Sequence, residues 1–276
     1  ATDGLTVKTS LDAMVNHMVE EVIQGVVAQY EPESVSVIVS DPYTGFLWAL
    51  ANYPSFDLNH YSKAPLECQR NRAISDLYEP GSTFKIVTMG AAIEEQKVAF
   101  EEIFDCKQTT AEYAGRTVRL PKDHKPMGLL SGAEIFIQSS NRGMARLAMR
   151  LGEQRFFRYA QRFGFGKRTG YGPMGEISGD LKPPSRWDGL TISRMPMGHA
   201  VGVTALQVHM AMAAVANGGW LMQPQVARAV LAADGKPFLR FPPLAKRRVL
   251  SPQSTQVLKG LLMRVASPEG TSSRAY

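Results

Sequence analysis

The segment from Ser82 to Glu95 constrains the fold more than any other part of the sequence. Its spacing predicts a helix, and apolar side chains occupy nearly every side of that helix. A helix that is apolar all round is buried inside a core rather than laid on a surface. The rest of the chain must therefore surround it, and 276 residues suffice to do so as one large domain or two small ones.

The composition narrows the class of protein. Hydrophobic residues make up 44% and charged residues 20%, which excludes wholesale disorder and low-complexity chains. The net charge of +6 fits an acidic substrate or an anionic lipid surface, but also solubility alone. No Lys/Arg cluster is interleaved with aromatic residues, so no nucleic-acid partner is predicted. Cys68 and Cys106 lack the spacing of a zinc site, and either a disulfide or two buried free thiols fits them.

An amphipathic helix and a hairpin are predicted near the start of the chain. The helix spans 9–30, and Thr9 and Asp12 have the spacing of a capping box. Two β-rich runs, 35–40 and 46–51, flank a five-residue turn. Helix and hairpin need a common core, so we expect the helix to cover one face of the sheet. The helix side chains assigned to that inner face are Leu11, Met14, Val15, Met18, Val22, Ile23, Val26 and Val27.

Helices dominate the remainder of the sequence. Residues 103–128 carry proline, glycine and threonine and are predicted to be loops. Later helices open with capping boxes or with a serine followed by proline. These start signals are Ser131-x-x-Glu134, Thr204-x-x-Gln207 and Ser251-Pro252. We therefore describe one domain over 1–276, with a helix and a hairpin at 5–60, a mostly helical region at 61–250, and a last helical segment at 251–276.

Ser82 and Lys85 are a candidate nucleophile and base. Pro80 and Gly81 break the chain just before the apolar helix, so Ser82 lies in its first turn and Lys85 on the same face. A serine hydroxyl is a weak nucleophile until a base takes its proton. Apolar surroundings and the positive end of the helix dipole both lower the pKa of a lysine, which favours the uncharged amine that such a base requires.

A second polar group lies further along the chain. Ser139, Ser140 and Asn141 interrupt a helical stretch, and a hydroxyl with an amide can relay a proton and bind a substrate amide. Each feature also has a purely structural interpretation. Ser82 fits a helix cap, Lys85 fits a solvated side chain, and the triplet fits an ordinary capped loop.

The two features together resemble a known family. Glu79-Pro80-Gly81-Ser82-Thr83-Phe84-Lys85 followed by Ser139-Ser140-Asn141 resembles the first two signatures of the penicillin-binding protein transpeptidase domain. Other segments resemble the family in the same order, and the tract 184–198 is most similar to its monofunctional, class B septal branch. These ordered segments are 39–45, 52–57, 71–73, 163–166, 175–176, 203–207 and 216–219.

The resemblance implies a fold and an activity. The fold is α/β, of the penicillin-binding and serine β-lactamase-like type, with an antiparallel sheet covered by helices and an all-helical subdomain. The activity is peptidoglycan D,D-transpeptidation, in which Ser82 attacks a stem peptide ending in D-Ala-D-Ala and an amine on a neighbouring stem takes the acyl group. Lys85 would be the general base, Ser139 the proton relay, and Asn141 the group that orients the donor amide. β-Lactam antibiotics would acylate Ser82.

The resemblance also implies where such a protein works. The catalytic domain lies on the periplasmic or extracellular side of the cell inner membrane, with a single-pass anchor upstream of this sequence. A membrane glycosyltransferase and division proteins are the implied partners. Neither a cofactor nor a metal is expected.

The sequence departs from the family pattern at one important point. The third signature, Lys-Thr/Ser-Gly, does not occur, and Lys167-Arg168-Thr169-Gly170 carries one residue too many. Ala205 stands where the family usually has proline, which is a minor change. We expect the natural chain to continue past Tyr276 and to supply the missing strand, so that the sheet of this piece is incomplete.

Two other functions stay open at this point. A serine β-lactamase shares the first two signatures but needs a base that activates water for deacylation; Glu153 and Glu176 are the candidates. The other alternative is a non-catalytic penicillin-binding or division scaffold fragment with the same fold.

Overall fold

Helices surround one central helix, and short antiparallel strands lie around them. The computed structural model describes residues 4–172 and 175–272. Its α-helices are α1 (Ala13–Tyr30), α2 (Arg72–Ser75), α3 (Lys85–Glu94), α4 (Glu134–Ile137), α5 (Asn141–Leu151), α6 (Glu153–Arg162), α7 (Thr191–Arg194), α8 (Ala205–Ala216) and α9 (Pro252–Val265). Its strands are β1 (Thr6–Thr9), β2 (Val35–Ser40), β3 (Leu47–Tyr53), β4 (Ile103–Asp105), β5 (Thr110–Tyr113), β6 (Arg116–Arg119), β7 (Leu129–Ser131), β8 (Trp220–Met222), β9 (Ala227–Leu231), β10 (Pro237–Arg240) and β11 (Ala245–Arg248). Its 3-10 helices are Leu58–Lys63, Gly81–Phe84, Pro184–Arg186 and Met195–Met197.

The apolar helix α3 lies at the centre of the main core, as the sequence predicts. Each of its residues from Lys85 to Ala92 is buried, and it packs against α5, α6 and α9. Gly90 lets α9 approach closely, because a Cβ at this position would press on Leu250 and Leu258. The core that forms around α3 holds most of the buried apolar side chains of the described residues.

A second, smaller core lies between α1 and the hairpin of β2 and β3. The two strands pair antiparallel from Val35 opposite Tyr53, and Val19, Ile23 and Ala49 form the buried centre. The prediction that the first helix covers one face of the hairpin is confirmed. In the described residues β2 and β3 form a two-stranded sheet of their own.

The predicted start of α1 and its inner face are partly wrong. The capping residue is Asp12, whose side chain accepts hydrogen bonds from two backbone N–H groups, while Thr9 belongs to β1 and pairs with β9. Apolar residues at both i+3 and i+4 spread over more than one side of the helix, and the hairpin covers only one stripe of them. Four side chains assigned to the inner face are exposed: Leu11, Met14, Met18 and Val22.

The predicted loop at 103–128 contains three short strands. Strands β5 and β6 form a hairpin whose turn residues, Ala114 and Gly115, both have positive φ (50° and 75°). Such turns match the right-handed twist of the two strands but usually contain Asn-Gly or Asp-Gly. The weak Ala-Gly signal explains why the sequence did not predict this hairpin. Strand β4 pairs with the distant β7, which no local pattern indicates.

The predicted helix starts at Thr204 and Ser251 are confirmed, whereas Ser131 is the last residue of β7 and α4 begins only at Glu134, after Ala133. Ser131 and Glu134 exchange hydrogen bonds across their capping box, and Thr204 with Gln207 does the same at α8. Ser251 caps α9 just before Pro252. Leu258 and Leu261 of α9 are buried, whereas Val257 is exposed.

Two remaining predictions concern the cysteines and the chain end. Cys68 and Cys106 are free thiols, of which Cys106 is buried and Cys68 half-buried. Of the predicted segment 251–276, residues 273–276 lie outside the described part. Within the described part, none of the helices is both long enough and apolar enough to span a membrane.

Candidate active site

The turn before α3 presents Ser82 to solvent. Gly81 takes a positive φ of 58°, which favours glycine, and starts a 3-10 helix that passes directly into α3. The α-helix itself therefore begins at Lys85 and not at Ser82 as predicted. The Ser82 N–H lies in the first helical turn, where N–H groups have no partner within the helix. Below it, Phe84 is buried against Phe156 and Phe165, which fixes the turn on the core.

The amine of Lys85 is buried and fully occupied by acceptors. The side chain is only 2% exposed. Its Nζ donates to the backbone oxygen of Ser139 at 2.6 Å, to the Ser139 hydroxyl at 2.8 Å, and to Oδ1 of Asn141 at 2.7 Å. These three bonds match the three protons of an ammonium group. The central helix and the Ser-Ser-Asn triplet are thus joined at one point.

Ser139 connects this amine to Ser82. Its hydroxyl lies 3.2 Å from the Ser82 hydroxyl. A left-handed backbone at Ser139, with φ of 55°, turns both its carbonyl and its hydroxyl toward Lys85. This conformation is unfavourable for a residue with a side chain, and such residues are found at functional sites. The four predicted site residues, Ser82, Lys85, Ser139 and Asn141, therefore lie in one continuous hydrogen-bonded chain.

The surroundings of Lys85 decide its charge. Burial lowers its pKa from 10.5 to about 8, because the ammonium form loses its hydration, while the nearby carboxylate of Asp123 acts in the opposite direction. At pH 7 roughly a tenth of the molecules would carry the neutral amine. The sequence-based expectation of a lowered pKa agrees with this environment.

Asp123 is a site residue that the sequence did not predict. It is 6% exposed and accepts hydrogen bonds from the backbone N–H groups of Asn141 and Arg142 at the start of α5. The Ser140 hydroxyl donates to the same carboxylate and accepts from the Gly143 N–H. A buried carboxylate at a helix N-terminus is stabilised by these N–H groups. It fixes the backbone from which Asn141 reaches Lys85. Asp123 stands in a loop, with Lys122 before it and His124 and Lys125 after it, and no local pattern distinguishes it.

The loop at 198–200 packs against the turn that carries Ser82. Gly198, with φ of 81°, lies so close to Gly81 that a Cβ there would overlap the Gly81 backbone. The Gly81 N–H donates to the Gly198 oxygen at 3.3 Å. Next to it, Glu79 accepts from the Ala200 N–H and pairs with His199 at 2.6 Å, and this hydrogen bond from His199 lowers the pKa of the Glu79 carboxyl.

Neither glutamate considered for a deacylating base contacts the nucleophile in the described residues. The Glu176 carboxylate is buried and accepts hydrogen bonds from Thr169 and Gly170. Glu153 lies at the start of α6, near Tyr113. In the described residues, neither carboxylate forms a hydrogen bond with the Ser82–Ser139–Lys85 chain.

Comparison with known proteins identifies the family. Residues 35–276 match the sequence model of the penicillin-binding protein transpeptidase domain. The chain belongs to that family. The resemblance read from the motifs is thereby confirmed, as is the fold class that it implied.

Named relatives and solved structures agree with this assignment. The chain is 33% identical to stage V sporulation protein D of Bacillus subtilis, over 99% of its own length and 42% of that protein. It is 28% identical to peptidoglycan D,D-transpeptidase FtsI of Escherichia coli, over 96% of its length and 42% of that protein. Penicillin-binding protein 3 of Mycobacterium tuberculosis, solved in complex with aztreonam, has a TM-score of 0.86 and 30% identity; the match covers 100% of this chain and 62% of that one. The chain thus spans about two-fifths of these curated relatives.

Proposed function

We propose that this chain carries the acylation site of a peptidoglycan D,D-transpeptidase. Ser82 would attack the carbonyl between the two terminal D-alanines of a stem peptide. The terminal D-alanine would leave, and an amine of a neighbouring stem would take the acyl group to form a cross-link. β-Lactams would acylate the same hydroxyl, because their strained amide imitates that bond.

The observation that carries this proposal is the chain from Ser82 through Ser139 to Lys85. While the amine is protonated, hydrogen bonds run from Lys85 to Ser139 and from Ser139 to Ser82. Once the amine is neutral, its lone pair can accept a proton, and the direction of both hydrogen bonds reverses. The Ser82 proton then passes to Ser139 while the Ser139 proton passes to Lys85. No other base is needed for this step.

Asn141 contributes orientation. Its Oδ1 accepts from Lys85, and one proton of Nδ2 is bonded to the Lys122 oxygen at 2.8 Å. The second Nδ2 proton is the group that would bind a backbone carbonyl of the donor peptide. The Ser82 N–H, at the positive end of its helix, would stabilise the oxyanion that forms as Ser82 attacks.

Location and partners belong to the same proposal. Cell-wall stem peptides lie outside the cytoplasmic membrane, so the domain would act on the periplasmic or extracellular side, held by a membrane anchor. A membrane glycosyltransferase and division proteins are the expected partners. The support for these points is the similarity to FtsI and to stage V sporulation protein D.

Intact mass after incubation with penicillin tests the proposal. Wild type should gain the mass of one penicillin and keep it for hours, whereas Ser82→Ala should gain none. Ser185→Ala, which removes an exposed hydroxyl elsewhere, is the matched control and should be labelled like wild type. An unlabelled wild type, or a labelled Ser82→Ala, would contradict the proposal. Rapid release of hydrolysed penicillin would indicate a β-lactamase instead.

A further inference from the structure

A small cavity is enclosed by the end of α6, the first half of α8, the strands β8 and β11, and the loop at 164–169. Its volume is about 150 Å³, and none of the four candidate residues of the acylation site lines it. A dry cavity of similar size in another protein holds one benzene ring. The buried part of the lining is mainly apolar and consists of Phe163, Met210, Leu221 and Met222. The cavity therefore has the size and the surface to hold one small apolar group.

The buried polar residues of the lining already have hydrogen-bond partners. The Gln207 amide donates to the backbone oxygens of Lys167 and Ser178. Thr169 donates both its N–H and its hydroxyl to the Glu176 carboxylate. An apolar group that enters the cavity therefore separates neither residue from a partner, and it does not have to supply a polar atom of its own at this depth.

The solvent-facing part of the lining is positively charged. Its exposed residues are Lys167, Arg168 and Lys246, and the half-buried Arg247 adjoins them. No acidic residue belongs to the lining, and within the described part of the chain these four side chains form no ion pair. An apolar interior thus opens toward solvent between cations.

The positive charge around the cavity is only partly compensated. Arg247 donates to two backbone oxygens at the end of α6, where the helix dipole is negative. Lys246 donates one proton to the Thr169 oxygen at 2.8 Å. Burial lowers the pKa of the Lys246 ammonium, and the charges of Arg247 and Lys167 lower it further, while Glu176 acts in the opposite direction. An anion beside Lys246 would offset this repulsion.

We infer that this cavity binds one small carboxylate with an apolar body, about the size of benzoate. The apolar body would lie against the buried walls, and the carboxylate would meet the exposed cations. Arginine binds a carboxylate with paired N–H groups, and lysine adds a point charge. The inference does not depend on the proposed function, because Ser82 takes no part in it.

NMR titration of three small molecules with the full chain tests the inference. Benzoate has both the ring and the charge, benzamide has the same shape without the charge, and acetate has the charge without the ring. We expect one benzoate to bind per chain with a Kd of about 0.1–1 mM. Benzamide should bind at least about tenfold more weakly, and acetate should show no saturation in the same range. High salt should weaken benzoate binding, because the cations are exposed.

Paired variants localise the binding. Arg168→Gln with Lys246→Gln should weaken benzoate binding about tenfold or more, since both remove a charged donor at the cavity. Lys259→Gln with Arg240→Gln removes the same charge from exposed positions elsewhere and should leave the affinity unchanged. Thermal unfolding checks that both pairs fold.

Several results would overturn the inference. They are a wild type that does not bind benzoate, equal affinities for benzoate and benzamide, acetate binding as tightly as benzoate, or equal losses in the two variant pairs. Prior treatment with penicillin should leave benzoate binding unchanged, and loss of binding after that treatment would place benzoate at Ser82 instead. Labelling of Ser82 is measured separately, so each proposal can fail without the other.

Discussion

Helices α3 and α1 are both rich in apolar residues, yet their surroundings differ. Helix α3 is buried from Lys85 to Ala92 and carries the amine of Lys85, the candidate base. Helix α1 rests on a two-stranded hairpin, and only Val19 and Ile23 of it are buried. Met14 is 69% and Met18 55% exposed, although both repeat at helical spacing.

The difference shows what an apolar pattern can and cannot tell. The pattern predicts that a helix has a face suited to burial. What covers that face depends on the other elements that reach it. Around α3 these are α5, α6 and α9, whereas α1 packs mainly on the two strands of the hairpin.

The largest effect on the acylation rate should come from removing the lysine amine of α3, whereas adding a lysine to α1 should have none. Lys85→Met removes the proposed base and should lower the rate of acylation by penicillin about 10³-fold. Met14→Lys places a charge on the exposed side of α1 and should leave that rate unchanged. Stopped-flow or intact-mass kinetics measure both. Comparable rates in wild type and Lys85→Met would show that the buried amine is not the base.

Shortening one methionine to alanine in each helix should lower the free energy of unfolding by very different amounts. Met89→Ala, at a fully buried position of α3, should lower the free energy of unfolding by about 3 kcal/mol, because it leaves a cavity in the core. Met18→Ala, on the exposed side of α1, should change it by less than about 0.5 kcal/mol. Denaturant unfolding measures both values. Similar losses would mean that the exposed stripe of α1 is covered in solution.

The burial of Lys85 predicts a pH dependence that an exposed lysine would not produce. Since only the neutral amine accepts the proton, the acylation rate should rise about tenfold per pH unit below the pKa of about 8 and level off above it. Asp123→Asn removes the carboxylate that raises this pKa, so the midpoint should move to lower pH. Rate profiles between pH 6 and pH 9 test this. A midpoint that stays in place in the variant would exclude the Asp123 contribution.

The smallest effect concerns the backbone of Ser139. Ser139→Ala and Ser139→Gly both remove the hydroxyl relay and should slow acylation alike. Glycine also relieves the left-handed conformation, so the glycine variant should be more stable than the alanine variant by about 1 kcal/mol. Thermal unfolding of the two variants provides the comparison. Equal stability would mean that the backbone at this position is not strained.

Much of the site could be predicted from local sequence, and its geometry could not. Pro80 and Gly81 before an apolar helix point to Ser82 and Lys85, and the interrupted helix points to Ser139 and Asn141. Asp123 gave no signal, because its role depends on a helix start that lies distant in sequence. The strands at 103–128 were not predicted, because the turn between β5 and β6 has a weak sequence signal and β4 pairs with the distant β7.

The sequence by itself determined which helix is central, where most helices begin, and which hydroxyls and amine are the candidates for the chemistry, since caps, turns and apolar periodicity act between residues close along the chain. Only the tertiary structure decided that Lys85 reaches Ser82 through Ser139, and that Asp123 lies near enough to raise the pKa of the amine. Both depend on distances between segments far apart in sequence, which are set by how helices pack and not by local preference.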